Sequence, residues 1–188
     1  MLRAYLQSFQ LLTDDEITSF ENLLTYKQLK KDDYFIEAGQ VCKEVAFITS
    51  GFFRSYYYSS KEEEVTYCFT FSNSFITAYS SFLTQESTSE NIQALTDIEM
   101  YAISRDDMLH LEASSSNWLK LFKLMAEREY VKMEKRIFML QLENAETRYT
   151  DLLKNHPEYL QLIPLGYLSS YLGITQRHLS RIRKSITN

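Results

Sequence analysis

The run Pro164-Leu-Gly-Tyr-Leu-Ser-Ser-Tyr-Leu-Gly-Ile-Thr-Gln-Arg-His-Leu-Ser-Arg-Ile-Arg183 leaves a folding chain little freedom. Proline is tolerated just before or in the first turn of a helix, where its missing N–H has no intrahelical partner to lose. Leu165, Leu168 and Leu172 then recur at helical spacing and predict one apolar face. Ser169 is small enough for a second helix to cross closely over the first. Gly173 supplies a left-handed turn, Ile174 plugs the corner, and Thr175 is a good N-cap for a second helix. Leu179, Ile182 and Ile186 form the expected buried stripe of that helix. Gln176, Arg177, Ser180, Arg181 and Lys184 face outward, with His178 and Arg183 toward the flanks. Two short helices around a tight turn, the second of them basic, match the pattern that places a helix in the DNA major groove. Gln can pair with adenine and Arg with guanine, while Ser, Thr and Lys can hold phosphates.

A net charge of −5 argues at first against a nucleic-acid partner. Its distribution answers the objection. From Asp151 to Asn188 there are five basic against two acidic side chains, a net +3, which leaves −8 on the rest of the chain. An acidic body does not exclude a basic reading head.

Upstream, Thr13-Asp-Asp-Glu16 reads as a capping box, with Ile17, Phe20, Leu23 and Leu24 behind it on a short amphipathic helix. From about Tyr26 to Ser104 the chain is rich in Tyr, Phe, Val, Ile and Thr, in short runs: 34–39, 45–51, 52–58, 65–71, 91–95 and 98–103. This spacing predicts a β-sandwich or barrel, with Lys61 to Glu64 as a charged hairpin tip. From Arg105 the period becomes helical. A short helix over 106–113 is followed by a break at 114–117, and then by some 25 residues free of Gly and Pro. In that run Leu119, Phe122, Ala126, Tyr130, Met133, Ile137 and Leu140 step by three or four, close to a coiled-coil seam. Pairing with a second copy suits a protein that reads paired half-sites; the other reading of this run is an internal core helix. A hinge is expected at 143–146, then a helix over 147–155 that Pro157 ends.

Hydrophobic content of 45% and charged content of 24% are those of a globular chain of 188 residues with one sizeable core and a small second domain. No apolar run is long enough to span a membrane, and the N-terminus lacks a secretion-signal core, so a cytoplasmic location is expected. Cys42, Cys68, His110, His156 and His178 make no metal-ligand spacing. No nucleophile–base pair and no phosphate loop is present, so no enzyme, no catalytic residue, no cofactor and no metal are expected.

With these pieces in order, the chain resembles the Crp/Fnr family of transcription regulators. The resemblance rests on Tyr34-Phe-Ile-Glu-Ala-Gly39, on Val45 to Arg54, on Phe75 to Ala94 and most specifically on Leu172 to Arg183. It implies an α+β chain of three parts. Residues 1–113 would form a jelly-roll (double-stranded β-helix) sensor domain of the cyclic-nucleotide-binding type, residues 114–143 a dimerisation helix, and residues 144–188 a DNA-binding helix-turn-helix. It further implies double-stranded DNA and a second copy of the chain as partners, with RNA polymerase and a small-molecule effector as further candidates. Positions matching Gln176, Arg177 and Arg181 face base edges in the family, and the one matching Thr175 meets the backbone. Family members usually continue into a β-hairpin wing; here the sequence stops at Asn188, and weaker phosphate grip is the expectation.

The ligand cassette departs from the nucleotide-binding members. Thr77-Ala78 stands where their Gly-Glu pair should be, and Thr88-Ser89 where their Arg-Ser pair should be. The only glycines are Gly39, Gly51, Gly166 and Gly173, and no Lys or Arg lies between Lys61 and Arg105. Losing one charge-assisted phosphate contact costs about 1.5–3 kcal/mol, so useful affinity for cyclic AMP is not expected. Two readings of the pocket, lined by Phe69, Ile76, Thr77, Ala78, Tyr79, Thr88 and Ser89, stay open. Either Phe69, Phe71, Phe75, Tyr79 and Phe82 fill it, or it takes a less charged ligand. For the whole chain, the alternative to a DNA reader is a module of the same fold that uses its C-terminal helices for protein contact.

Overall fold

The computed structural model describes residues 1–187, in two compact units: residues 1–58 with 68–126, and residues 59–67 with the chain from Glu127 onward. In the first unit, α1 (Leu2–Gln7) and α2 (Asp14–Asn22) precede the strands β1 (Thr25–Leu29), β2 (Tyr34–Ile36), β3 (Glu44–Ser50) and β4 (Phe52–Tyr58). After β5 (Glu64–Phe71) and β6 (Ser74–Ile76) come α3 (Tyr79–Thr84), β7 (Glu90–Ala94), β8 (Ile98–Ser104) and α4 (Arg105–Ser114), and then α5 (Ser116–Leu142) begins. The strands form two four-stranded sheets, ordered β1-β8-β3-β6 and β2-β7-β4-β5. Two sheets are what the alternating runs predict as a β-sandwich, and their form is the jelly roll that the resemblance implies. The sequence reading passed over α1 and β1, because α1 has only six residues and no side-chain cap, and Thr25-Tyr-Lys-Gln-Leu29 carries little apolar alternation.

Register explains where the aromatic residues go. Tyr26 pairs with Tyr101, Tyr101 with Phe47, and Phe47 with Phe75, so one aromatic row crosses four strands on one face. Tyr5 of α1 lies 5.4 Å from Phe47 and 5.7 Å from Phe75, covering the far half of that row. Successive strand residues point to opposite faces. The alternate positions Ala46, Ile48, Met100 and Ala102 therefore turn the other way and join Ile36, Phe53, Ile92 and Ala94 in one buried cluster. Gly51, at φ +84°, turns β3 into β4 where a Cβ would come within 2.6 Å of Thr96 Oγ1 and 2.7 Å of Ile98 Cδ1.

The capping box of α2 forms as its sequence predicts: Thr13 N–H donates to Glu16 Oε2 at 2.8 Å, and Glu16 N–H to Thr13 Oγ1 at 3.2 Å. Asn117, in the first turn of α5, donates through Nδ2 to both Glu16 carboxylate oxygens at 3.2 Å. Burial pushes the Glu16 carboxyl up, but hydrogen bonds from Ser115, Thr13 and Asn117 outweigh it and hold it below the ordinary carboxylate value. Thr13→Ala is expected to cost about 1 kcal/mol in a urea titration. A carboxyl held low in the folded state stabilises above its unfolded pKa, about 4.3 for Glu, and the contribution is lost as pH falls through the lower folded value. The stability gap between wild type and Glu16→Gln is therefore expected to be full at pH 7 and to close below pH ~4. A gap independent of pH would refute the role of the charge.

In the second unit, the tip between β4 and β5 turns at Glu62, where Glu62 N–H donates to Ser59 O at 2.9 Å. The end of α5 is followed by α6 (Ala145–Asn155), α7 (Pro157–Leu162), α8 (Leu165–Leu172) and α9 (Gln176–Thr187). The expected hinge is a short capped corner. Asn144 Oδ1 accepts from Thr147 N–H at 2.9 Å, and Arg148 Nη1 donates to the Glu143 carbonyl at 2.8 Å, satisfying a carbonyl at the end of α5. Pro157 follows the end of α6, as expected, and also begins α7 at its first position, a helix the sequence reading missed. Tyr149, Leu152, Tyr159, Ile163, Leu168, Leu172, Leu179 and Ile182 are the buried hydrophobics of this unit. Ile186, expected in that stripe, is instead 39% exposed: it lies in the last turn of α9, beyond the part that Leu179 and Ile182 seat.

Candidate functional site

Helix α8 ends in a left-handed Gly173 (φ +68°), and Ile174 N–H donates back to the Ser169 carbonyl at 3.0 Å. This closure satisfies an end carbonyl and reverses the chain. Thr175 Oγ1 then accepts from His178 N–H at 3.2 Å, so it caps α9 as its residue type predicts. Leu179 is wholly buried and Ile182 nearly so. Their burial turns Gln176, Arg177, Arg181 and Lys184 to solvent, with Ser180 half-buried beside them. Arg177, Arg181 and Lys184 are four and three residues apart and lie on neighbouring turns of one side. Beyond Glu158 the chain has no acidic residue to neutralise them. Gln176 leans on α8: its Nε2 sits 2.9 Å from where a Cβ on Gly166 would be, so the glycine leaves room for the amide.

The second candidate site is the cassette between β6 and β7. Ala78 is fully buried, and Phe69 and Ile76 nearly so. Thr77 and Thr88 are occupied by local bonds. Thr77 Oγ1 donates to the Glu44 carbonyl at 3.0 Å and lies 3.2 Å from Cys42 Sγ. Thr88 N–H donates to Gln40 O at 2.8 Å, Thr88 O accepts from Gly39 N–H at 2.8 Å, and Thr88 Oγ1 accepts from Glu90 N–H at 3.1 Å. Gln85 Nε2 donates to the carbonyls of Cys42 and Phe82 at 3.0 and 2.9 Å. Ser89 is exposed. Two of the aromatics expected to fill the pocket lie elsewhere. Tyr79 is 49% exposed, and Phe75 belongs to the aromatic row under Tyr5. Periodicity identifies an apolar residue but not the side of the sheet it faces, which pairing register decides.

Sequence reading also missed a buried polar group. Arg54, Glu90 and Asn91 are each at most 5% exposed. Arg54 pairs with Gln93 and Tyr56 with Asn91, which places these four on one face, with the Arg54 guanidinium 4.3 Å over the Tyr56 ring. Tyr34 and Tyr56 share a hydroxyl–hydroxyl bond of 3.2 Å, and Asn91 Oδ1 accepts from Ala38 N–H at 3.1 Å. The one available signal was a charge inside the aromatic run Phe52-Phe-Arg-Ser-Tyr56, since an arginine is rarely buried without partners. Among the described residues, no group of three or more His, Cys, Asp or Glu could hold a metal ion, and no helix is long and apolar enough to cross a membrane.

Residues 26–115 match the cyclic nucleotide-binding domain family. The match covers the strands of this domain from β1 to β8 and the whole cassette, and less than half of the chain. No curated protein sequence matches the chain. Among solved structures, FixK2 from Bradyrhizobium japonicum is similar at a TM-score of 0.76 and 16% identity, over 87% of this chain and 84% of that one. A protein of Eubacterium rectale described as a transcriptional regulator of the Crp/Fnr family is similar at 0.75 and 14% identity, over 98% and 88%. The c-di-GMP-responsive global regulator CLP of Xanthomonas campestris is similar at 0.74 and 14% identity, over 93% and 92%. At such identities the likeness is one of fold. The match to the cyclic nucleotide-binding domain family thus spans the roll, and Thr77, Ala78, Thr88 and Ser89 lie within the matched residues.

Proposed function

We propose that this protein is a sequence-specific DNA-binding transcription regulator of the Crp/Fnr type, acting as a homodimer, with a cyclic-nucleotide pocket that no longer responds to cyclic AMP. The observation that carries the reading is α9: a buried Leu179–Ile182 stripe on one side and Gln176, Arg177, Arg181 and Lys184 in solvent on the other, behind a Gly173 turn and a Thr175 cap. In this reading Thr175, Ser180 and Lys184 meet phosphates, and Gln176, Arg177 and Arg181 meet base edges. Residues 1–113 form the sensor domain, 114–143 the pairing helix and 144–188 the reading head. Exposed Tyr130, Met133, Ile137, Phe138 and Leu142 on α5 supply apolar surface for pairing with a second copy.

The cassette supports the negative half of the proposal. Its own stretch from Ser74 to Ala94 has no Lys or Arg, and Arg105, which reaches it from α4, donates through Nε to the Phe82 carbonyl at 3.1 Å. Thr77 and Thr88 are spent on local bonds, and Ala78, which the resemblance matches to the family's ribose-binding carboxylate, is buried. A ligand that binds only the folded state raises its stability. Millimolar cyclic AMP is expected to leave the unfolding midpoint unchanged by differential scanning fluorimetry, and a clear upward shift would overturn this reading.

The test of the whole proposal is fluorescence anisotropy against a random duplex library, across a salt series, with and without cyclic AMP. Tight binding to an enriched near-palindrome, indifferent to the nucleotide, is the expected result. Binding only with cyclic AMP would refute the pocket reading. No binding in any condition would favour a protein-contact module of the same fold.

A further inference from the structure

Strand β5 is an edge strand, paired with β4 on one side only. Such an edge carries backbone N–H and C=O groups without a strand partner. In the second unit, two of them meet a single side chain. Ser170, on α8, donates through its hydroxyl to the Glu64 carbonyl at 3.0 Å and accepts from the Thr66 N–H at 2.9 Å. A hydroxyl is both donor and acceptor, so one serine oxygen serves both groups. Thr66 is 1% exposed, so without Ser170 its amide would lose this partner away from water. The next residue is held from another direction. Arg136 of α5 donates through Nη2 to the Tyr171 carbonyl at 2.8 Å, and its guanidinium lies 3.8 Å over the Tyr171 ring. Within the second unit, helix α8 is therefore held at two consecutive residues, to the 59–67 segment by Ser170 and to the part of α5 from Glu127 onward by Arg136.

We infer that Ser170 and Arg136 are positioning residues for DNA reading: they hold α8, and with it α9, in a set orientation on the helix that pairs the two copies. The inference rests on the DNA-reading proposal above. Neither residue needs to touch DNA. A head held in place engages its second half-site at little entropic cost, whereas a head free to swivel must be ordered on binding. The effect therefore belongs to paired half-sites and vanishes on a single one.

The experiment uses the full chain, as wild type, Ser170→Ala, Ser170→Thr and Arg136→Ala. Anisotropy compares the enriched palindrome with a duplex holding one half-site, and NMR follows exchange of the Thr66 amide. For Ser170→Ala, affinity for the palindrome is expected to fall about 5-fold, with the single half-site changed by less than about 2-fold. Exchange at Thr66 should rise roughly 10-fold or more, and Ser170→Thr, which keeps the hydroxyl, should restore both readouts. Arg136→Ala should lower palindrome affinity in the same selective way. Faster exchange with unchanged palindrome affinity, or equal losses on both duplexes, would overturn the inference while leaving the DNA-reading proposal standing. Failure of the wild type to bind any duplex would defeat that proposal first, and this inference with it.

Discussion

Arg181→Ala is expected to lower affinity for the enriched DNA site by one to two orders of magnitude per reading head. A bidentate arginine–guanine contact is worth about 1–3 kcal/mol of discrimination, and a palindrome contains it twice. The loss should come with relaxed specificity at one symmetric pair of positions. Arg181→Lys should recover part of the affinity but little of the specificity, because an ammonium lacks the planar fork. Lys184→Ala is the internal control. Its exposed position at the far end of the basic side suits a phosphate contact, so it should weaken all duplexes alike and make the salt dependence shallower by about one counterion per head. A selection experiment on the two variants, each across a salt series, separates these outcomes. Identical base preferences in wild type and Arg181→Ala would remove Arg181 from base reading.

Trp118→Ala is the substitution expected to damage the fold most. Trp118 is the only tryptophan and is 1% exposed. It stacks on Phe20 at 5.3 Å and lies 5.6 Å from Phe122, so it ties α2 to the start of α5. Truncating a buried tryptophan costs about 3–5 kcal/mol, from lost transfer free energy and from the void left behind. An apolar cavity of about 40 Å³, lined by Leu6, Phe20, Met108, Leu121 and Met125 among others, already adjoins Trp118 and would merge with the new space. Lys120→Ala, two residues away on the exposed side, should change stability by less than about 0.5 kcal/mol. Urea titrations followed by far-ultraviolet circular dichroism give both numbers. A Trp118→Ala loss below about 1 kcal/mol would show that α2 and α5 are held by something other than this stack.

What could be read directly from the chain were features whose cause is local. Thr13 and Glu16 cap one another across three residues, Gly173 takes the left-handed turn that other residues resist, and Thr175 caps the helix it precedes. Alternating runs such as 45–51 and 98–103 announce strands because a half-buried pleated surface requires alternation. The exposed basic side of α9 was legible for the same reason: the buried Leu179 and Ile182 leave the side that carries Arg177 and Arg181 no direction but outward.

Pairing across long stretches of chain was not legible. Phe75 and Phe69 look alike in the sequence, yet register with Phe47 sends Phe75 beneath Tyr5, away from the cassette. Arg54 sits as a charge in an aromatic run, and only strand pairing sets it beside Tyr56, Asn91 and Gln93. Ser170 looks like a spacer in a short helix, and its two partners lie more than a hundred residues earlier. The six residues of α1 carry no cap and form against Phe47 and Phe75. The physical reason is common to all four: periodicity, caps and turns reveal which side of an element is apolar or where it stops, whereas the surface that covers that side is chosen by tertiary packing, which leaves no local mark.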